Sequence, residues 1–104
     1  MTPEKLAELH AVCFVDAPRP WTAAEFRELL TGEGVKLLCH SRGFAVVRLA
    51  GPEAELLTIA VAPEARRQGI GRLLVTDMVK LALMADVKEV LLEVSETNDA
   101  ARKL

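Results

Sequence analysis

The stretch Thr58-Ile59-Ala60-Val61-Ala62-Pro63-Glu64-Ala65-Arg66-Arg67-Gln68-Gly69-Ile70-Gly71-Arg72-Leu73-Leu74 reads as a buried strand, a tight turn and the start of a helix. Ahead of the turn, Leu56, Leu57, Ile59 and Val61 form a near-continuous apolar run, the pattern of a strand covered on both faces. Pro63 has no N–H to donate and ends the ladder. Beyond the turn, Ile70, Leu73, Leu74, Met78, Leu81, Ala82 and Ala85 recur at i, i+3, i+4 spacing, which places Gly69 and Gly71 at a helix N-terminus. The first N–H groups of a helix have no partner within it, and the aligned peptide dipoles sum there to roughly half a positive charge. Glycines let an anion approach the backbone, and Arg66, Arg67 and Arg72 surround it with positive charge. The turn is therefore a candidate phosphate site. It is not a nucleotide P-loop, which needs Gly-Lys-Ser/Thr where Gly71-Arg72-Leu73 stands. Nor is it a dinucleotide fingerprint, which needs a third glycine where Leu74 stands.

The spacing Arg66-Arg67-Gln68-Gly69-Ile70-Gly71 resembles the pyrophosphate loop of the GNAT family of N-acetyltransferases, Gln/Arg-x-x-Gly-x-Gly/Ala. The strand before it, Pro63, and a later strand Val90 to Val94 followed by Asn98 extend the resemblance over nearly the whole chain. It implies an α/β fold with a mixed sheet, acetyl-CoA as co-substrate, and no metal. In the family the strand before the turn and the strand after the helix run parallel and splay apart to admit the pantetheine arm. The backbone of Ile59, Ala60 and Val61 would pair with that arm, and the amides of Arg66, Arg67, Gln68, Gly69, Ile70, Gly71 and Arg72 would hold the pyrophosphate. Asn98 matches an asparagine that contacts the cofactor in related enzymes, and it could equally be a helix N-cap.

The 104 residues suit one domain, expected to bury roughly 65% of its unfolded surface. Composition is 51% hydrophobic and 27% charged with a formal net charge of −2, so there is no overall basic field to hold nucleic acid. No signal peptide is visible at Met1-Thr2-Pro3-Glu4 and no apolar run reaches membrane-spanning length, so the expected location is cytoplasmic. Cys13 and Cys39 read as two buried reduced thiols. His10 and His40 lack Cys, Asp or His at ligand spacing and suggest no metal site.

Along the chain, Thr2 can cap a first helix with Pro3 at its first position, with Leu6, Leu9 and Cys13 along one side. Thr22-Ala23-Ala24-Glu25 is a capping box flanked by Trp21 and Phe26 at staple positions, predicting a second helix from about Ala23 to Thr31. Val35 to His40 and Phe44 to Ala50 read as a hairpin, and Gly51-Pro52-Glu53 turns into a third strand, Leu56 to Val61. Lys88 to Ser95 reads as a fourth strand. Residues 1–50 would form the acceptor side and 53–104 the acetyl-CoA-binding half. Pro20-Trp21-Thr22 is accounted for by the staple, yet Pro-Trp-Ser/Thr before a short helix also resembles the RimI-type group of the family, which acetylates the N-terminal alanine of a ribosomal protein. In that group this segment borders the acceptor.

An α-amino group with a pKa near 8 is mostly protonated at pH 7, so transfer to it needs a base, worth about 10²- to 10⁴-fold. The resemblance implies Glu93 for that role, on a strand facing the slot. On the residues alone Glu93 is equally a solvated strand-end carboxylate like Glu89 and Glu96. The family's pattern starts with a strand before the first helix, and continues past Asn98 through a helix ending in Leu-Tyr and two more strands. The tyrosine, assigned there to protonating the thiolate, would follow Leu104, and this chain contains no Tyr. The chain therefore reads as truncated at both ends, with an exposed strand edge expected to self-associate. The alternatives are acetylation of a small-molecule amine, or a domain that binds CoA or a partner without catalysis.

Overall fold

In the computed structural model, residues 1–14, 21–40 and 42–91 are described. The elements are α1 (Pro3–Cys13), α2 (Ala23–Leu30), β1 (Val35–His40), β2 (Gly43–Ala50), β3 (Glu53–Val61), a 3₁₀ turn (Pro63–Ala65), α3 (Ile70–Met84) and β4 (Glu89–Leu91). Both predicted caps form. The Thr2 hydroxyl accepts from the Lys5 amide at 3.2 Å. Thr22 and Glu25 exchange hydrogen bonds at 3.1 and 3.0 Å, a reciprocal capping box of the kind that contributes about 1 kcal/mol.

The sheet order is β1-β2-β3-β4, with β1, β2 and β3 antiparallel in sequence and β4 parallel to β3. Two apolar clusters, one on each face, hold the layers together. On one face, Ile70, Leu74, Met78 and Ala82 of α3 pack on Ala45, Val47, Ala54, Leu56, Ile59 and Val61. On the other, Leu6 of α1, Phe14 at the C-cap of α1, and Phe26 of α2 meet Phe44, Val46 and Ala60. No helix among the described residues is long and apolar enough to cross a membrane.

Three expectations need correction, and a fourth is described only in part. β3 begins at Glu53 rather than Leu56, because Ala54 is buried between two outward glutamates, and Glu55 pairs across the ladder with Arg48 at 2.5 Å. Charge at alternate positions hides such a half-buried strand from a search for apolar runs. Leu73 and Ala85 lie exposed, flanking the α3 stripe formed by Ile70, Leu74, Met78 and Ala82. Cys13 is half-buried and Cys39 exposed, both as free thiols. Cys39 follows Val35 and Leu37 on the same face of an outer strand, but the apolar cluster that takes in those two residues stops short of it. Of the fourth predicted strand, Glu89–Leu91 pairs with Glu53–Glu55, while Leu92 to Ser95, and with them the expected splay, lie outside the described residues.

Candidate functional site

Every residue from Ile59 to Arg72 lies at the junction where β3 gives way to α3. Ile59, Ala60 and Val61 are buried, the first and last facing α3 and Ala60 facing the opposite layer. Pro63–Ala65 forms one 3₁₀ turn, closed by the Ala65 amide on the Ala62 carbonyl at 2.9 Å. Arg67 takes a left-handed conformation with φ 67°, and Gly69 takes another with φ 79° as the N-cap of α3. Together these bends reverse the chain into the helix.

The helix's own ladder starts when the Leu73 amide donates to the Gly69 carbonyl at 3.0 Å. The amides of Ile70, Gly71 and Arg72 precede that ladder. Threonine hydroxyls cap α1 and α2, but Gly69 carries no side chain to occupy the first amides of α3. A Cβ placed on Gly69 would meet nothing within 4 Å, so the space beside the N-cap is open, while Ile70 and Gly71 themselves are buried. Arg67 and Arg72 are exposed beside it, and α3 has no acidic residue in its first turn. The donor set, the open approach and the local charge all suit a phosphate.

Arg66 is half-buried and points partly inward, its Nε donating to the Val61 carbonyl at 3.2 Å. It braces the turn against the end of β3. The Cys13 thiol donates to the same carbonyl at 3.3 Å, tying α1 to that point. Gln68 reaches back to the Glu64 carbonyl at 3.5 Å. The turn is also stitched to the β1–β2 hairpin: the Ala62 amide donates to the Arg42 carbonyl at 2.8 Å, and Arg42 pairs with Glu64. Ile70 lies so close over Gly43 that a Cβ there would sit 2.7 Å from its Cγ2, which seats the first turn of α3 on β2. An open groove of about 620 Å³ runs between α1, at Lys5, Glu8 and Val12, and Ala62–Glu64. None of residues 66–72 lines it. Glu93 and Asn98 lie outside the described residues.

The sequence around His10 marks it only as a lone imidazole without metal partners, and the structure gives it another role. The imidazole is 1% exposed, stacked on Phe14 with centroids 4.3 Å apart and on Trp21 at 5.1 Å, with Phe26 edge-on at 5.3 Å. The Trp21 amide donates to Nδ1 at 2.9 Å, and Nε2 lies 3.0 Å from the Thr58 hydroxyl. Burial among aromatic rings pushes the imidazole down from 6.5 to about 4, against the opposing pull of the Glu25 carboxylate. The available signal was position: Leu6, His10 and Phe14 fall at i, i+4 and i+8, on the buried side of α1.

The model of the acetyltransferase (GNAT) family matches residues 17–104. Among solved structures, the ribosomal-protein-S18-alanine N-acetyltransferase from Escherichia coli is 26% identical with a TM-score of 0.74. That match covers 93% of this chain, which spans 63% of the length of that enzyme. An aminoglycoside acetyltransferase from an uncultured soil metagenomic sample, in complex with sisomicin, is 19% identical with a TM-score of 0.73, covering 95% of this chain and 73% of that one. The aminoglycoside acetyltransferase AAC(6')-Iy, in complex with a CoA bisubstrate analog, is 18% identical with a TM-score of 0.72, covering 97% and 78%. No curated protein sequence matches the chain at a significant level.

Proposed function

Because the chain belongs to the acetyltransferase (GNAT) family, we propose that it moves an acetyl group from acetyl-CoA to an amine, and that the amine is the N-terminal α-amino group of a protein. The observation that carries the first part is the β3–α3 turn, where no side chain caps the first amides of α3, the space beside Gly69 is open, and Arg67 and Arg72 are exposed. The second part is supported by Pro20-Trp21-Thr22 and by the 26% identity to an alanine N-acetyltransferase. The likeness to the aminoglycoside enzymes is below 20% and carries the fold alone.

In this reading the amides of residues 67–72 take the pyrophosphate and the end of β3 lies along the pantetheine arm. Acetyl-CoA supplies the activated thioester. Glu93 removes the proton that an α-amine carries at neutral pH, the amine displaces CoA from the acetyl carbonyl, and the departing thiolate takes its proton from water.

Calorimetric titration of acetyl-CoA tests the cofactor half. Saturable binding is expected, weakened at least ~100-fold, or about 3 kcal/mol, in an Arg67→Glu, Gly71→Asp variant that sets carboxylates against the proposed phosphate. A circular-dichroism melt of that variant confirms that it is folded. Equal affinity in both proteins places the cofactor elsewhere. Glu93→Gln tests the chemistry with a peptide bearing N-terminal alanine: kcat should fall by roughly 10²- to 10⁴-fold while acetyl-CoA affinity holds. A CoA-binding domain without catalysis has no turnover to lose.

A further inference from the structure

α1 grips the end of β3 at two points three residues apart on each element. His10 meets Thr58 and Cys13 meets Val61, so Ile59 and Ala60 lie between the two ties. β3 is irregular just before the first of them. Val46 pairs with Thr58 but Val47 pairs with Leu56, which leaves Leu57 as an extra residue in the ladder. Its effect is a change of phase. Ahead of the bulge Ala54 and Leu56 face α3, and beyond it Ile59 and Val61 do. With strict alternation from Leu56, Thr58 and Ala60 would face α3 and Ile59 the opposite layer.

The side chain that decides the phase is polar. Thr58 is buried, and a buried hydroxyl left without a partner is costly. His10 supplies the partner, in one tautomer only. Nδ1 accepts from the Trp21 amide and so carries the lone pair, which puts the ring proton of the neutral imidazole on Nε2, facing Thr58 Oγ1. The same ring therefore holds both the strand beneath the candidate thioester position and the residue that opens α2.

We infer that His10, as its neutral Nε2–H tautomer, is a positioning residue for the transfer reaction, holding Ile59–Val61 in the bulged phase through Thr58 and the Trp21 segment through Nδ1. The inference rests on the transferase reading above. His10 touches neither substrate nor cofactor; it acts through the two groups it binds. Ile59 and Val61 share a cluster with Ile70 and Leu74, and Arg66 bonds the Val61 carbonyl, but the amides of Ile70 to Arg72 belong to α3 and not to the strand that the tie holds. The expected signature is a split, with turnover slowed more than cofactor affinity is weakened.

The test uses the whole chain, with nitrogen-15 spectra of the imidazoles, acetyl-CoA calorimetry, and turnover on an alanine-terminated peptide within a panel of amines. The His10 ring should show an unprotonated Nδ1 and a protonated Nε2. Thr58→Val, measured well below its melting temperature, should lower kcat about tenfold, as misplacement of a reacting group does, with a smaller loss of acetyl-CoA affinity. Thr58→Ser keeps the hydroxyl and should restore kcat. A role confined to folding would lower the melting temperature and leave kcat per folded molecule unchanged. That result, a failed serine rescue, or a proton on Nδ1 overturns the inference. If the wild type neither binds acetyl-CoA nor transfers from it to any amine of the panel, the transferase reading fails, and the inference with it; the wild-type arm distinguishes the two failures.

Discussion

Between pH 6.5 and about 4 the protein is expected to lose on the order of 3 kcal/mol of stability through His10 alone. The unfolded chain takes up a proton on this imidazole near pH 6.5, whereas the folded chain resists it until about 4 because the charged ring would be desolvated among Phe14, Trp21 and Phe26. In that window the unfolded state binds more protons, so stability falls as pH falls. The contribution is fully present above 6.5 and gone below about 4. Stability of a small domain is commonly 5–15 kcal/mol, which makes this a large share. Urea titrations at pH 7, 5.5 and 4 measure it. Carboxylates also titrate near the acid end, and a His10→Phe variant separates them: it lacks both hydrogen bonds and starts lower at pH 7, but its stability should fall less steeply from 6.5 to 4. Parallel profiles for the two proteins would falsify the assignment.

Gly34→Ala should cost at least ~3 kcal/mol, at the severe end for a single substitution. Gly34 closes the connection from α2 into β1 with φ +77°, and its carbonyl accepts the Leu49 amide at 2.9 Å. A Cβ there would sit 2.3 Å from the Leu49 carbonyl oxygen, a backbone atom of β2 held in the ladder with β3 that cannot swing aside. Gly51 provides the comparison. It too has positive φ, at +58°, but a Cβ would meet nothing within 4 Å, so Gly51→Ala should cost only the conformational penalty of about 1–2 kcal/mol. Urea midpoints for the two variants give the difference directly. Equal losses would mean that conformation alone, and not the collision with β2, sets the cost.

Much of the architecture could be read without coordinates because it rests on local rules. The caps at Thr2 and Thr22, the hairpin between β1 and β2, and the start of α3 all depend on residues within about four positions of one another, where side-chain chemistry and backbone geometry are tightly coupled. The candidate phosphate turn is local in the same sense. Its two glycines, the apolar strand ahead and the helical spacing behind are contiguous, and Gly69 adopts the left-handed conformation that such a turn needs. Glu53–Glu55 was missed because its charges belong to a strand whose outer face is solvated.

His10 was invisible for a different reason. A histidine on an apolar stripe has no signature of its own, and its partners, Trp21 and Thr58, are 11 and 48 residues away. Arg66 is similar: its charge marks it for the anion, and only the folded chain brings its Nε onto the Val61 carbonyl. Periodicity located β3 and the turn, and charge with glycine made the turn a candidate for an anion. The phase of β3 on either side of Leu57, the tautomer of His10 and the tie from α1 to the strand end were decided by tertiary structure. A buried hydroxyl and a buried imidazole must find each other, and that requirement acts only once the layers have closed.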